Sequence, residues 1–189
     1  MGLTIFPSIP DIKFTYADYL QLPDDGKRYE IIDGEIYLLP TPPTVHQQIL
    51  GNLFCILYSS VESKNVGEVF ISPLDVVLSE TTVIQPDILF ISNERSNIIT
   101  EANIQGAPDL VIEIFSPATE KRDRGIKLIM YAKFGVRECW LVDPTSKNVE
   151  IYRLQKKNLR LVERLTVNDV LNTPLLPGLK IAVQEIFQK

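Results

Sequence analysis

The stretch APDLVIEIFSPATEKRDRGIKLIMYAKFGVRECWLVDP, residues 107–144, carries the reading of the fold. Its first part, DLVIEIF, is apolar at every position except Asp109 and Glu113. That composition is expected of a strand covered on both faces. ATEKRDRGIKLIMYAKFG then shows helical periodicity, with Ile126, Ile129, Met130 and Phe134 expected on one side and Gly135 at its end. VRECWLVDP comes next as a second buried strand. Strand, helix, strand in that order predicts a crossover between parallel neighbours, and therefore an α/β architecture with a sheet at its centre.

Upstream, the two prolines of IFPSIPDIKF predict an extended arm over residues 1–14. TYADYLQLPDDG reads as a short helix capped by Thr15 and stopped at Pro23 to Gly26. KRYEIIDGEIYLLP is two strand-like runs about Asp33-Gly34, a strong hairpin signal. His46, Ile49, Leu50, Leu53, Phe54 and Leu57 fall at helical spacing in the next segment, and Thr44 with Gln47 resembles a capping box at its start. GEVFISPLDVVLSE and VIQPDILFIS are strand-like, and KNVEIYRLQKKNLRLVERL predicts a further hairpin near the C-terminus.

The chain has 189 residues, 45% of them hydrophobic and 23% charged, with a net charge of −5. That suits one globular domain over 1–189. No window approaches the roughly 18 apolar residues of a membrane span. MGLTIFPSIPDIKF lacks the basic start and apolar stretch of a signal peptide, so a cytoplasmic location is expected. Cys55 and Cys139 are far apart inside apolar patterns, which points to small core residues rather than a zinc site or disulfide. The acidic balance confines any nucleic-acid contact to local basic stretches, of which EKRDRGIK and RLQKKNLR are the densest.

The acidic residues within apolar runs bear most directly on function. Asp109 and Glu113 share a strand face, but four residues separate their Cα atoms by about 13 Å, too far to share one cation easily. A neighbouring strand is only about 4.8 Å away, so an acid there can meet Glu113 at a hard cation. Asp87 in QPDILFIS is the candidate, whereas Asp109 reads as turn chemistry at the start of a strand. Buried without a partner, Glu113 would be costly, so a bound metal, an ion pair or hydrogen bonds should accompany it. Lys127, one helical turn beyond Asp123 and one before Tyr131, is either the basic partner of that pair or a surface lysine paired to Asp123.

Taken together, PDILFIS, APDLVIEIFSPAT, RDRGIKLIMYAKFGVRECWLVDP and RYEIIDGEIYLLPTPPTVHQQI resemble the Uma-two family of restriction-endonuclease-like proteins, within the PD-(D/E)xK nuclease superfamily. The resemblance runs from about Tyr16 to Tyr152 in the expected order. It implies a restriction-endonuclease-like mixed sheet flanked by helices, here with additional N-terminal and C-terminal hairpins. It also implies a divalent cation, Mg2+ or Mn2+, held by acids of adjacent strands. Asp87 matches the Pro-Asp acid and Glu113 the acid of the third core strand. The superfamily lysine would fall at Phe115, so its role passes to Lys127 on the following helix. Glu30 matches an acid near the site, His46 the family's helix histidine, and Cys139 stands where an aromatic residue is usual.

The resulting expectation is metal-dependent hydrolysis of DNA phosphodiesters, with Asp87 and Glu113 as ligands, Lys127 and Glu30 as further catalytic groups, and His46, Asp109, Asp123 and Tyr131 in support. A homodimer acting on two strands is compatible with this. Two rivals stand beside it: a nucleic-acid-binding or regulatory module that no longer cleaves, and an interaction protein assembling through an exposed sheet edge. Fold alone does not choose among them.

Overall fold

The computed structural model describes residues 13–23, 25–116 and 118–188. The arm expected over 1–14 therefore lies, up to residue 12, outside the described residues. In chain order the elements are α1 (Tyr16–Tyr19), β1 (Arg28–Ile32), β2 (Glu35–Leu39), α2 (Thr44–Lys64), β3 (Gly67–Ile71), β4 (Val76–Ser79), β5 (Thr82–Ile84) and β6 (Ile88–Ser92). A 3-10 segment, Asn93–Ile98, leads to β7 (Ile104–Gln105) and β8 (Leu110–Ile114). Next come α3 (Glu120–Arg122), a widened π-type turn at Asp123–Lys127, and α4 (Leu128–Phe134). The chain continues with β9 (Glu138–Asp143), β10 (Asn148–Gln155), β11 (Asn158–Thr166), β12 (Val170–Leu171), β13 (Ile181–Ala182) and α5 (Val183–Ile186).

Six strands form the central sheet in the order β11-β10-β9-β8-β6-β3. Within this sheet, among the described residues, the parallel pair is β8 and β9, joined by the helical crossover that the strand-helix-strand pattern predicts. Five strands form a second sheet, β2-β1-β5-β4-β7, so the N-terminal hairpin belongs to a larger layer than its local signal suggests. Asp33 and Gly34 supply that hairpin's turn with φ of 51° and 89°, the left-handed pair of a tight two-residue connection.

Strand alternation decides what each face of the central sheet buries. Leu110, Ile112, Ile114, Ile88 and Phe90 join Ile49, Leu53 and Leu57 of α2 in one core. Leu89, Ile91, Val111, Cys139 and Leu141 face the other way, onto Met130 and Tyr131 of α4 and onto Ile32, Val76 and Ile84 of the second sheet. Glu113 lies between Val111 and Phe115 on this second face.

Three local expectations require correction. Thr44 is the first residue of α2, not its cap; Pro43 holds the cap position and no side chain caps the helix. By contrast, Thr15 and Asp18 do close a capping box on α1. Cys55 is exposed, and only Cys139 is a core residue. Ile129 is 62% exposed, because the stripe turned inward is Asp123, Lys127, Met130 and Tyr131. The apolar period misplaces this helix's phase since its inner face meets carboxylates as well as hydrocarbon.

Candidate active site

Asp87 precedes β6 and Glu113 sits on β8, which pairs antiparallel with β6; the ladder's last pair is Ile88 with Ile112. Continuing that register brings Asp87 opposite Glu113. The Asp87 side chain takes over where the backbone ladder stops: its Oδ2 accepts a hydrogen bond from Ile114 N at 2.7 Å. His46 Nε2, from the first turn of α2, lies 3.1 Å from the same oxygen. Asp87 Oδ1 and Glu113 Oε2 make no hydrogen bond to any described residue.

Lys127 reaches the pair from the wide turn. Its Nζ donates to Glu113 Oε1 at 3.0 Å, lies 2.9 Å from Glu30 Oε1 and 3.6 Å from Asp123 Oδ1. The Tyr131 hydroxyl also donates to Glu113 Oε1. Glu30 comes from β1 and is fully buried; its Oε1 additionally accepts from Gln85 N at 2.9 Å. A single π-type turn in an α-helix rotates the succeeding turns out of phase and is frequently found at functional sites. Here it spans the two residues, Asp123 and Lys127, that the helix buries against this cluster.

Asp87, Glu113, Asp123, Lys127 and Gln85 line a cavity of about 50 Å³, which also touches His46, Ser116 and Arg122, while Glu30 and Tyr131 reach it through Lys127 and Glu113. Arg122 Nε lies 3.7 Å from Glu30 Oε2, and its guanidinium sits over the Tyr37 ring, 5.3 Å from the centroid. Glu30, Glu113 and Asp123 thus surround Lys127, Glu30 also faces Arg122, and Asp87 is the fourth carboxylate of the cluster. The excess of carboxylates has electrostatic consequences. Burial pushes the Glu113 carboxyl well above its ordinary value; Lys127 opposes this, and Asp123, Asp87 and Glu30 add to it. Burial likewise raises Asp123. For Lys127, burial opposes the charge, but Glu113, Glu30 and Asp123 outweigh it and hold the ammonium's pKa well above that of a free lysine. Burial beside Glu113 also raises Tyr131, keeping its hydroxyl a donor.

Glu30 Oε2 and Asp123 Oδ1 are buried without a hydrogen-bond partner among the described residues. Surplus carboxylate with unshared oxygens suits a hard cation or a proton. Among the described residues no group of three or more His, Cys, Asp or Glu is arranged to hold a metal ion. Asp87 and Glu113 could hold one as a pair, since magnesium commonly takes one or two carboxylates and fills its remaining positions with water and substrate phosphate.

The structure therefore gathers Asp87, Glu113, Lys127, Glu30, Asp123, Tyr131 and His46 in one place. Asp109 is elsewhere. It is buried at the other end of β8, where it accepts from Ser92 N at 2.8 Å and pairs with Arg95 at 3.3 Å and Arg137 at 3.0 Å. Arg122 and Gln85 are cavity residues that sequence reasoning did not single out. Arg122 was visible only as part of the basic run EKRDRGIK. In that run Arg124 is directed instead to Glu120 and Glu150. Arg153, in the other basic run, is tied to Glu138 at 2.7 Å.

The fold and the acid-lysine cavity define a class that comparison with known proteins makes specific. The chain belongs to the Uma-two family, described as "Putative restriction endonuclease", whose profile matches residues 16–184. Among individual relatives, the uncharacterized protein slr1290 of Synechocystis sp. is 27% identical over 190 residues, covering 96% of this chain and 95% of the relative. A crystal structure described as a putative nuclease from Anabaena variabilis superposes with a TM-score of 0.77 at 23% identity, covering 92% of this chain and 97% of the other. That likeness shows a shared fold. Among the described residues no helix is long and apolar enough to cross a membrane.

Proposed function

We propose that this chain is a Mg2+- or Mn2+-dependent endonuclease that hydrolyses phosphodiester bonds in DNA at the Asp87-Glu113 cavity. The observation that carries this reading is the convergence of two carboxylates from adjacent strands with a buried, charged lysine 3.0 Å from one of them. When bound by Asp87 and Glu113, a divalent cation supplies Lewis-acid polarisation of the phosphate and a water more easily deprotonated.

The remaining groups prepare that chemistry. His46 and Ile114 N fix one oxygen of Asp87 and leave the other for a ligand. Tyr131 and Lys127 do the same for Glu113. Glu30 and Asp123 hold the Lys127 ammonium at the cavity wall, where it orients the attacking water or stabilises negative charge developing at phosphorus. Arg122 offers a second cation to the phosphate, its orientation set by the Tyr37 ring and Glu30. A homodimer would present two such cavities to the two strands of a duplex.

Incubation of the purified protein with supercoiled plasmid tests this reading: nicking or linearisation in MgCl2 or MnCl2, and none with EDTA, is the expected result. The second reading is a binding module that does not cleave. It is favoured by the engagement of Lys127 with two carboxylates at 3.0 Å or less. Tight nucleic-acid binding without turnover under any divalent ion would select it.

A further inference from the structure

We propose that the groove beside the acid cavity seats an unpaired nucleotide flanking the phosphate that is cut, so that the preferred substrate carries a local break in base pairing. The proposal rests on the nuclease reading and deepens it by naming a substrate feature. The groove has a volume of about 590 Å³ and shares Arg28, Leu39, Pro40 and Pro42 with the cavity, so the two form one continuous depression. That size falls within the range of about 300–1,000 Å³ typical of pockets for single small ligands. It suits one or two nucleotides and is too small for a base-paired stack.

The lining matches a base in chemistry. Leu38, Leu39, Pro40 and Pro73 provide apolar surface, of which Leu38 on β2 is 55% exposed and so open to a stacked base. Thr41 and Gln47 add hydrogen-bonding groups at the same wall, as pockets that receive an extruded base combine apolar stacking with a few polar contacts. The charge is complementary as well. Lys27 is tied to Asp25 at 2.6 Å, whereas Arg28, at the junction of groove and cavity, has no hydrogen-bonding or ion-pairing side-chain partner among the described residues. A phosphate linking the seated nucleotide to the one being cut would pass this guanidinium, and such charge-assisted contacts are the strong ones.

The test measures binding, so it does not depend on turnover. The Glu113→Gln chain, with Mg2+ present, is titrated with a fluorescein-labelled 30-base-pair duplex and with the same duplex carrying a single-nucleotide bulge. The bulged form is expected to bind about tenfold more tightly, the size of one stacked base. Arg28→Ala and Leu38→Asp, each added to this background, should weaken the bulged duplex more than the paired one and so bring the two affinities together. Both side chains are partly or largely exposed, so the fold is expected to tolerate the changes, and melting curves check this. Equal affinity for paired and bulged duplex in the parent, or a preference that survives both substitutions, overturns the proposal. Failure of the wild type to cleave any nucleic acid would count against the nuclease reading while leaving the binding comparison decisive for the groove.

Discussion

Asp87 Oδ2 accepts the backbone N–H of Ile114 at 2.7 Å, extending the β6–β8 ladder by a side chain one step past its last backbone pair. The same carboxylate is therefore both a structural acceptor and a prospective ligand. Asp87→Asn keeps a carbonyl oxygen for Ile114 N and should fold nearly as well as the wild type while losing metal-dependent cleavage. Asp87→Ala leaves that amide unsatisfied and should cost an additional ~1–3 kcal/mol of stability. Urea melts of both variants beside a cleavage assay separate the two roles. Equal stability of the two would contradict the structural one.

Lys127 is the cation that the buried carboxylates share. Lys127→Met removes it and leaves Glu113, Glu30 and Asp123 facing one another, at an expected cost of about 3–5 kcal/mol. Adding Glu30→Gln to Lys127→Met relieves part of the repulsion, so the double variant should be more stable than the single one. Denaturation midpoints of the pair check this, and additive destabilisation would be evidence against a shared electrostatic cluster.

Stability should depend on pH through Glu113 and Asp123, whose folded pKa values lie above their ordinary values of 4.5 and 3.8. Between the ordinary and raised values the native chain keeps protons that the unfolded chain has released, so this contribution is full below about pH 4 and is lost as pH rises through the folded pKa values. With EDTA present, the wild type should lose Tm relative to Glu113→Gln between pH 5 and pH 8. Mg2+, which favours the ionised carboxylates, should recover more Tm at pH 8 than at pH 5. A Tm difference that is flat with pH would speak against a strained Glu113.

Arg122 borders the cavity without a hydrogen bond from Nε. Arg122→Ala should lower kcat by about 10²–10³-fold, the usual cost of deleting one donor to developing charge. Arg122→Lys should recover only part of that, since a point charge replaces a planar fork. Steady-state kinetics on an oligonucleotide substrate would show this as a kcat effect; a change in KM alone would reassign Arg122 to ground-state binding.

Asp109 supplies the contrast. Its partners are Ser92 N, Arg95 and Arg137, away from the cavity. Asp109→Ala should cost about 1–3 kcal/mol through the groups it leaves unpaired, with no change in the metal dependence of cleavage by the folded fraction. Activity lost in step with that of Asp87→Asn would be inconsistent with this placement.

The parts of this site legible in the sequence were those whose geometry is local. Two Pro-Asp strands at strand spacing placed Asp87 beside Glu113 and left Asp109 behind, because strand rise and inter-strand spacing are nearly constant. The helical spacing of Lys127 to Asp123 was legible too, but alone it fitted a surface pair equally well, and the family resemblance was what assigned Lys127 to the site. The phase of that helix was not legible: Ile129 looked like a core residue and is exposed, because the inward stripe includes Asp123 and Lys127. The five-stranded second sheet was hidden for a different reason. The β1 strand pairs with β5 through a single register contact, Ile31 with Val83, a long-range choice that no local pattern announces. Arg122 was obscured by the charge run around it, where Arg124 and Lys127 have quite different partners.

The most direct test of the central claim is the manganese-dependent cleavage rate of wild type, Asp87→Asn and Glu113→Gln measured side by side on one DNA substrate, with matched melting curves. Cleavage by the wild type that EDTA abolishes, and that both variants lose while remaining folded, is the predicted result. Undiminished cleavage by both variants would contradict the assignment of Asp87 and Glu113 as the groups that hold the cation.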